Sequence, residues 1–447
     1  MNKVYLSIVL LMAGLFANAQ FFWETQATNW PEAWGVKEIS IASPNVAWIS
    51  SYDGSGNGTY PKNVAVTTNG GSTWTARTVT GVPSAGLISD IAAVDADIAY
   101  VVTAPASGSA SSNGIWKTTN GGTTWTKYTG STVFNNSASF ANHVYFWNEN
   151  EGYCGGDPVN NKFEMYKTID GGASWTAITT APAPINADEF TYVGIKKVVG
   201  NTIWLGTSQG RILRSTDKGA TWSAFSSPAL DFGGVIFEGS SANFAFSDDG
   251  LKGLLITDDN GAVFMYSTTD GGATWDDAFP EGTWYGDDVA AVPGTNGTFV
   301  TSGVNFNLPM GTSYSKDAGI TWIEIDSGEQ RGRLEFFDPV TGWSGGFSDG
   351  SGGSTGIFKF SGDLSDLGVK DLNKSNLQVY PNPARDIVNF ASDRQITQVN
   401  IIDLSGKVLL RAKDTNKVNV SSFAPGVYIA QVRYSDGGIQ NTKIVVK

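Results

Sequence analysis

The sequence predicts an all-β chain: a seven-bladed β-propeller closed by its own N-terminal strand and followed by a small Ig-like β-sandwich. Three observations carry this expectation. An octapeptide returns six times at nearly constant spacing. Short bursts of Thr, Val, Ile, Trp and Tyr fill the intervals, with no amphipathic helical period. The texture then changes abruptly near residue 364. The 54 glycines, 15 tryptophans and 24 phenylalanines suit short strands joined by tight turns.

Residues 1–19 read as a secretory signal peptide. Lys3 supplies the charge, residues 6–16 the apolar core, and Ala17-Asn18-Ala19 the small-x-small site before Gln20. That core is too short to span a bilayer, and no other stretch has the length of a membrane-crossing helix. The expectation is an exported chain without a transmembrane segment. Cys154 is the only cysteine, so stability rests on a large core and not on disulfides. Cys154 reads as a buried strand residue; a nucleophilic role would require a base, and His143 is the sole histidine.

The octapeptide occupies 67–74 (TTNGGSTW), 118–125 (TTNGGTTW), 168–175 (TIDGGASW), 215–222 (STDKGATW), 268–275 (TTDGGATW) and 315–322 (SKDAGITW). Its tryptophans are 51, 50, 47, 53 and 47 residues apart, the size of a four-stranded blade. The third position (Asn69, Asn120, Asp170, Asp217, Asp270, Asp317) can bond downstream backbone and hold a tight turn. The glycine two residues on tolerates positive φ. The final tryptophan (Trp74, Trp125, Trp175, Trp222, Trp275, Trp322) opens the next strand and buries its ring between blades. These roles are structural. The octapeptide resembles the Asp-box of BNR-repeat, sortilin-like and photosystem II assembly factor-like propellers over residues 21–363. The resemblance implies that the boxes lie on the face away from the ligand.

In the first unit the strands are expected at 38–42, 46–50, 64–68 and 74–79. The second strand recurs at 98–102, 152–155, 203–206, 243–247, 297–301 and 342–345, making seven units for six boxes. The seventh lacks its outer strand. Trp23-Glu24-Thr25-Gln26 resembles Trp74-Thr75-Ala76-Arg77 at a distance of 51 residues, so the N-terminus is expected to complete the last blade. Six blades is the alternative count.

The domains are expected at 1–19 (signal peptide), 20–363 (propeller), 364–376 (polar linker) and 377–447 (sandwich). The net charge of −13 divides into +1 from Lys3, −19 over residues 20–369 and +5 from Lys370 onward, so the acidic body disfavours nucleic-acid binding. In the tail, VYPNP (379–383), DLSGKVL (403–409), GVY (426–428) and a basic terminal strand follow one another, with Ser405-Gly406 and Gly437-Gly438 as hairpin turns. This segment resembles the type A C-terminal sorting domain of the type IX secretion system. The resemblance implies the export machinery as a partner, removal of the tail near the linker, and release or attachment at the outer-membrane surface.

Loops leading into the innermost strands, at 30–35, 82–87, 139–144, 188–193, 230–234, 283–288 and 329–333, form the default ligand face. They carry the candidates Trp30, Trp34, His143, Tyr192, Phe232, Trp284, Tyr285, Asp287, Arg331 and Arg333, together with Glu189, Phe190 and Asp231. Aromatics beside carboxylates suit a glycan or a protein, so a non-catalytic binder is expected. The rival is a glycan hydrolase using a carboxylate pair such as Asp231 with Asp287. Sialidases of this box class use an arginine triad and an Arg-Ile-Pro strand. This propeller has only Arg77, Arg211, Arg214, Arg331 and Arg333, and no such strand. A Ser-His-Asp triad would need His143 and lacks its elbow motif. No cofactor is expected; Asp248-Asp249, Asp258-Asp259-Asn260 and Asp287-Asp288 are the calcium candidates, without EF-hand spacing.

Overall fold

The computed structural model describes residues 21–365 and 377–447, apart from residues 56, 107–109, 129, 131, 305–307, 349–355, 393–394, 404–406, 414 and 436–438. The signal segment, most of the linker and the two tail turns lie outside the described residues. The chain forms two compact units, Met1–Asp366 and Leu367–Lys447.

The first unit is a propeller of seven sheets whose four blade strands pair antiparallel; in one sheet a short extra strand, Glu281–Gly282, pairs parallel with the outer strand. The innermost strands are Gly35–Ser43, Gly86–Ala93, Ala141–Phe146, Thr191–Val199, Ser240–Phe246, Asp288–Ala291 and Leu334–Asp338, defining blades 1 to 7. Six blades take their strands consecutively. In blade 7 the outermost strand is Phe22–Gln26, paired antiparallel with Ile357–Ser361, with Phe22 opposite Ser361 and Gln26 opposite Ile357. The ring is closed as expected. One strand assignment needs correction. Residues 243–247, expected as a second strand, belong to the innermost strand of blade 5; its second strand is Gly253–Asp259. The loop leading into that blade contains an apolar run, Val235-Ile236-Phe237, that reads like a strand and displaced the count by one.

Each blade pair encloses its own apolar core, so seven cores form a ring. Trp48 and Trp125 join blades 1 and 2; Trp74 and Trp343 close blades 1 and 7. Sheets alone would leave each apolar face wet, and packing face against face removes it from water. The octapeptide tryptophans supply much of this contact. Trp74 meets Trp343 edge-on at 6.2 Å, and Trp125 meets Trp48 at 6.1 Å.

The octapeptide geometry is the expected turn. In the third copy, Asp170 Oδ1 accepts from Ser174 N (2.9 Å) and Thr168 Oγ1 (2.8 Å), and Oδ2 accepts from Ser174 Oγ (2.6 Å). Thr168 Oγ1 in turn accepts from Gly172 N at 2.9 Å. Both residues after the acidic position have positive φ, and in two copies the first is not glycine: Lys218 (57°) and Ala318 (59°). The turns are also tied to the preceding blade. Tyr100 Oη and Lys117 Nζ both donate to Gly171 O at 2.8 Å, and Arg77 Nε donates to Gly121 O at 2.9 Å.

Hydrogen bonds from Ser174 and Thr168 hold the Asp170 carboxyl down at about 2, from an ordinary 3.8. A depressed carboxyl contributes stability that is present above its unfolded value and disappears as pH falls through the folded one. Asp170→Ala should therefore lower the melting temperature by a few degrees at pH 7, and less at pH 2. Asp170→Asn should melt near wild type at pH 7, because Asn69 and Asn120 already make this turn, each donating Nδ2–H to a threonine hydroxyl at 2.9 Å. Thermal melts across that pH range check both; an unchanged D170A midpoint at pH 7 would show that the turn is dispensable.

The second unit is a sandwich of a three-stranded and a four-stranded sheet. Val388, Phe390 and Val418 of one face Val399, Ile401, Ala430, Val432 and Ile444 of the other in a single core. The Pro-Asn-Pro segment has a visible task. Asn382 Nδ2 donates to Lys443 O (2.9 Å) and its Oδ1 accepts from Val445 N (2.8 Å), so one side chain stands in for a neighbouring strand along Ile439–Val446.

Candidate functional site

Each octapeptide sits beside the turn between the first and second strands of its blade; Gly70 N, for instance, donates to Asn45 O, and Gly171 N to Asn150 O. The loops leading into the innermost strands therefore emerge on the opposite face. The ten candidates from sequence do not form one constellation there. Trp30 and Phe232 are in interblade cores, Tyr285 is buried within blade 6, and Trp34, Tyr192 and Trp284 are half-buried against the cores. Tyr285 Oη donates to Glu324 Oε2 (3.0 Å), and Asp287 Oδ2 accepts from Val304 N (2.6 Å). Arg331 pairs with Asp326 at 2.8 Å and stacks over Phe358 at 4.1 Å. His143 is wholly buried, its ring nitrogens have no hydrogen-bond partner among the described residues, and burial lowers it to about 3. A neutral, enclosed imidazole is a poor base for an external substrate. Cys154 is fully buried, and burial pushes its thiol well above the ordinary range, leaving it protonated.

The carboxylates named for hydrolysis are engaged as scaffolding. Asp231 is inaccessible and accepts from Gly233 N (3.1 Å), Ile236 N (2.8 Å) and Phe237 N (3.1 Å). Glu189 is clamped by Arg211 through two bonds of 2.8 and 2.6 Å. The five arginines are dispersed likewise: Arg77 and Arg214 bind octapeptide carbonyls, and Arg211, Arg331 and Arg333 pair with Glu189, Asp326 and Glu38. No three liganding groups converge as a metal site among the described residues. At the calcium candidates the carboxylates cap turns instead: Asp249 accepts from Leu251 N and Asp258 from Gly261 N.

What these residues do support is a loop. Between Ser223–Ser226 and Ser240–Phe246, Phe232 anchors in the core at 5.5 Å from Phe244, Asp231 gathers three backbone N–H groups, and Tyr192 Oη accepts from Val235 N at 3.1 Å. The loop so fixed presents Leu230 (50% exposed), Val235 (66%), Ile236 (39%) and Phe237 (45%) to solvent. Ile185, 59% exposed, lies on the neighbouring loop, which is tied by Asn186 Nδ2 to Gln209 Oε1 at 3.0 Å. Sequence reading named the supports and passed over Val235-Ile236-Phe237. An apolar run inside a Gly-containing loop was the available signal.

A second feature lies on the axis. A cavity of about 170 Å³ is lined from all seven blades by residues that include 38–41, 90–91, Tyr145, 196–199, Asp248, Arg333 and Glu335. These are the middle and later parts of the innermost strands, so the cavity faces the octapeptide end. Lys196 pairs with Asp90, and Arg333 with Glu38 at 3.1 Å. Asp90 Oδ2 also accepts from Val144 N and Asp288 Oδ2 from Leu334 N, each stitching one blade to the next. Of the ten candidates only Arg333 reaches this wall.

Residues 378–447 match the family of secretion system C-terminal sorting domains. A stretch of 72 residues of the chain is 39% identical to beta-agarase D of Zobellia galactanivorans, a match covering 16% of this chain and 15% of that protein. The solved structure of YCF48 bound to D1 peptide superposes with a TM-score of 0.51 at 16% identity, over 77% of this chain and 95% of that one. YCF48 from Cyanidioschyzon merolae gives 0.51 at 15% identity, over 77% and 99%. At such identities the likeness is one of fold. The chain is a seven-bladed β-propeller carrying a type IX secretion C-terminal sorting domain, and its destination is the cell exterior or the outer-membrane surface.

Proposed function

We propose that this protein is a non-catalytic propeller of the Asp-box, BNR-repeat type. It is exported behind its signal peptide and docks a protein partner on the loop face. The observation that carries the reading is the fixed loop presenting Leu230, Val235, Ile236 and Phe237. Contiguous exposed apolar side chains on a rigid support mark a protein contact. A sugar site needs flat rings beside carboxylates or amides set to grip hydroxyls; here Asp231 is turned inward to its own backbone, and Glu238 is the loop's one exposed carboxylate beside four aliphatic and aromatic side chains. The peptide bound to the similar YCF48 structure is consistent with a protein ligand. The test is capture from the host's own secreted and surface proteins, set beside a glycan array. Wild type should retain a defined partner, Val235→Asp/Phe237→Asp should lose it at least about tenfold with an unchanged melting temperature, and the array should stay silent. Glycan binding that survives the double substitution would overturn the proposal.

A further inference from the structure

The axial cavity contains groups that the fold does not use. Among the described residues, the Tyr145 hydroxyl, the Lys197 ammonium and the Glu335 carboxylate make no hydrogen bond or ion pair, although all three line the cavity. Their neighbours on the wall are engaged: Lys196 with Asp90, Arg333 with Glu38 and Gly194 O, and Asp248 with Gly294 N. Burial pushes the Glu335 carboxyl above its ordinary range, with Lys197 and then Arg333 drawing it back. Burial likewise raises the Tyr145 phenol, and Glu335 adds to the effect. Lys197 and Glu335 thus feel each other across the cavity without meeting.

Holding two opposite charges apart in a confined space is costly unless something completes them. A simple anion would satisfy Lys197 and face Glu335; a cation would do the reverse. A metal ion would find one unengaged carboxylate, since Glu38, Asp90 and Asp288 are already bonded. A molecule with both an ammonium and a carboxylate answers both groups at once. The volume limits its size: about 170 Å³ is close to the roughly 150 Å³ of a cavity that holds one benzene, so the space suits about six heavy atoms, the number in a small amino acid.

We infer that the axial cavity binds a small α-amino acid, its ammonium on Glu335, its carboxylate on Lys197 with Tyr145 donating, and its side chain against Ala245, Ala290 and Ala291. The site lies toward the face away from the apolar loop, and it stands independently of protein docking there.

Calorimetric titration of the full chain with L-alanine and L-serine tests the assignment. Saturable one-to-one binding is expected, with acetate, methylammonium and glycerol at least about tenfold weaker because each completes only part of the set. Lys197→Met and Glu335→Gln should each weaken binding about tenfold or more, and Tyr145→Phe by a smaller factor. Melting temperatures near wild type for these variants would place the loss in the site; Tyr145→Phe, the mildest change, keeps the test open if a charge variant misfolds. Absence of saturable binding by either amino acid would overturn the proposal, as would acetate binding as tightly as alanine or variants binding as wild type.

Discussion

A chain lacking residues 21–28 is expected to aggregate instead of folding to a propeller. The strand Phe22–Gln26 is the outer edge of blade 7, and its removal exposes the whole ladder of Ile357–Ser361. It also takes away the joint between the ring's ends. Trp23 packs against Phe336 and Phe360, at 6.2 and 5.4 Å, and donates Nε1–H to Thr312 Oγ1 of blade 6 at 2.8 Å. Gln26 Oε1 accepts from two indoles, Trp74 of blade 1 (3.1 Å) and Trp343 of blade 7 (3.2 Å). Truncating one buried tryptophan costs about 3–5 kcal/mol, so Trp23→Ala alone should give a soluble protein with a clearly lowered melting temperature. Size-exclusion and thermal melts of the two variants decide it. A deletion variant that is soluble and melts like wild type would mean the ring closes some other way.

The blade count and the closing strand were legible because they are periodic: a fixed turn, a tryptophan and a constant interval survive drift elsewhere. The blade 5 assignment failed where an apolar run in a loop, Val235-Ile236-Phe237, imitates a strand before Ser240–Phe246. The candidate site was less legible for a physical reason. Aromatic and acidic residues in loops were read as ligand contacts, yet a loop must bury anchors and satisfy its own backbone before it can present anything. Phe232, Asp231 and Tyr192 do that work, and the presented residues are the plain aliphatics beside them. The axial charges were missed because single residues in inner strands, such as Asp90, Lys197 and Glu335, have no local signature. They meet only when all seven blades are in place.

A chain ending at Asp366 is expected to fold as a complete propeller and yet remain in the periplasm. The two units have separate cores: every buried residue of the tail's core lies between Ala384 and Val446. At its end, Leu364 is wholly buried with Trp23 and Phe360 and its N–H donates to Pro339 O at 2.9 Å, and Ser365 O accepts from Lys316 Nζ at 2.6 Å. The strand pairing that closes blade 7 is complete at Ser361. Melting of the truncated propeller should therefore match the first transition of the full chain, and its apolar loop should bind as before. Export should fail, because residues 378–447 carry the sorting domain. A chain ending at Ser361 is the informative control: it loses Leu364 and should melt several degrees lower, locating the structural boundary between the two cuts. Fractionation of the native host, with surface proteolysis, reads the location of each chain. Surface exposure of the Asp366 truncation would show that the propeller carries its own address, and loss of its folding would show that the tail is part of the working structure.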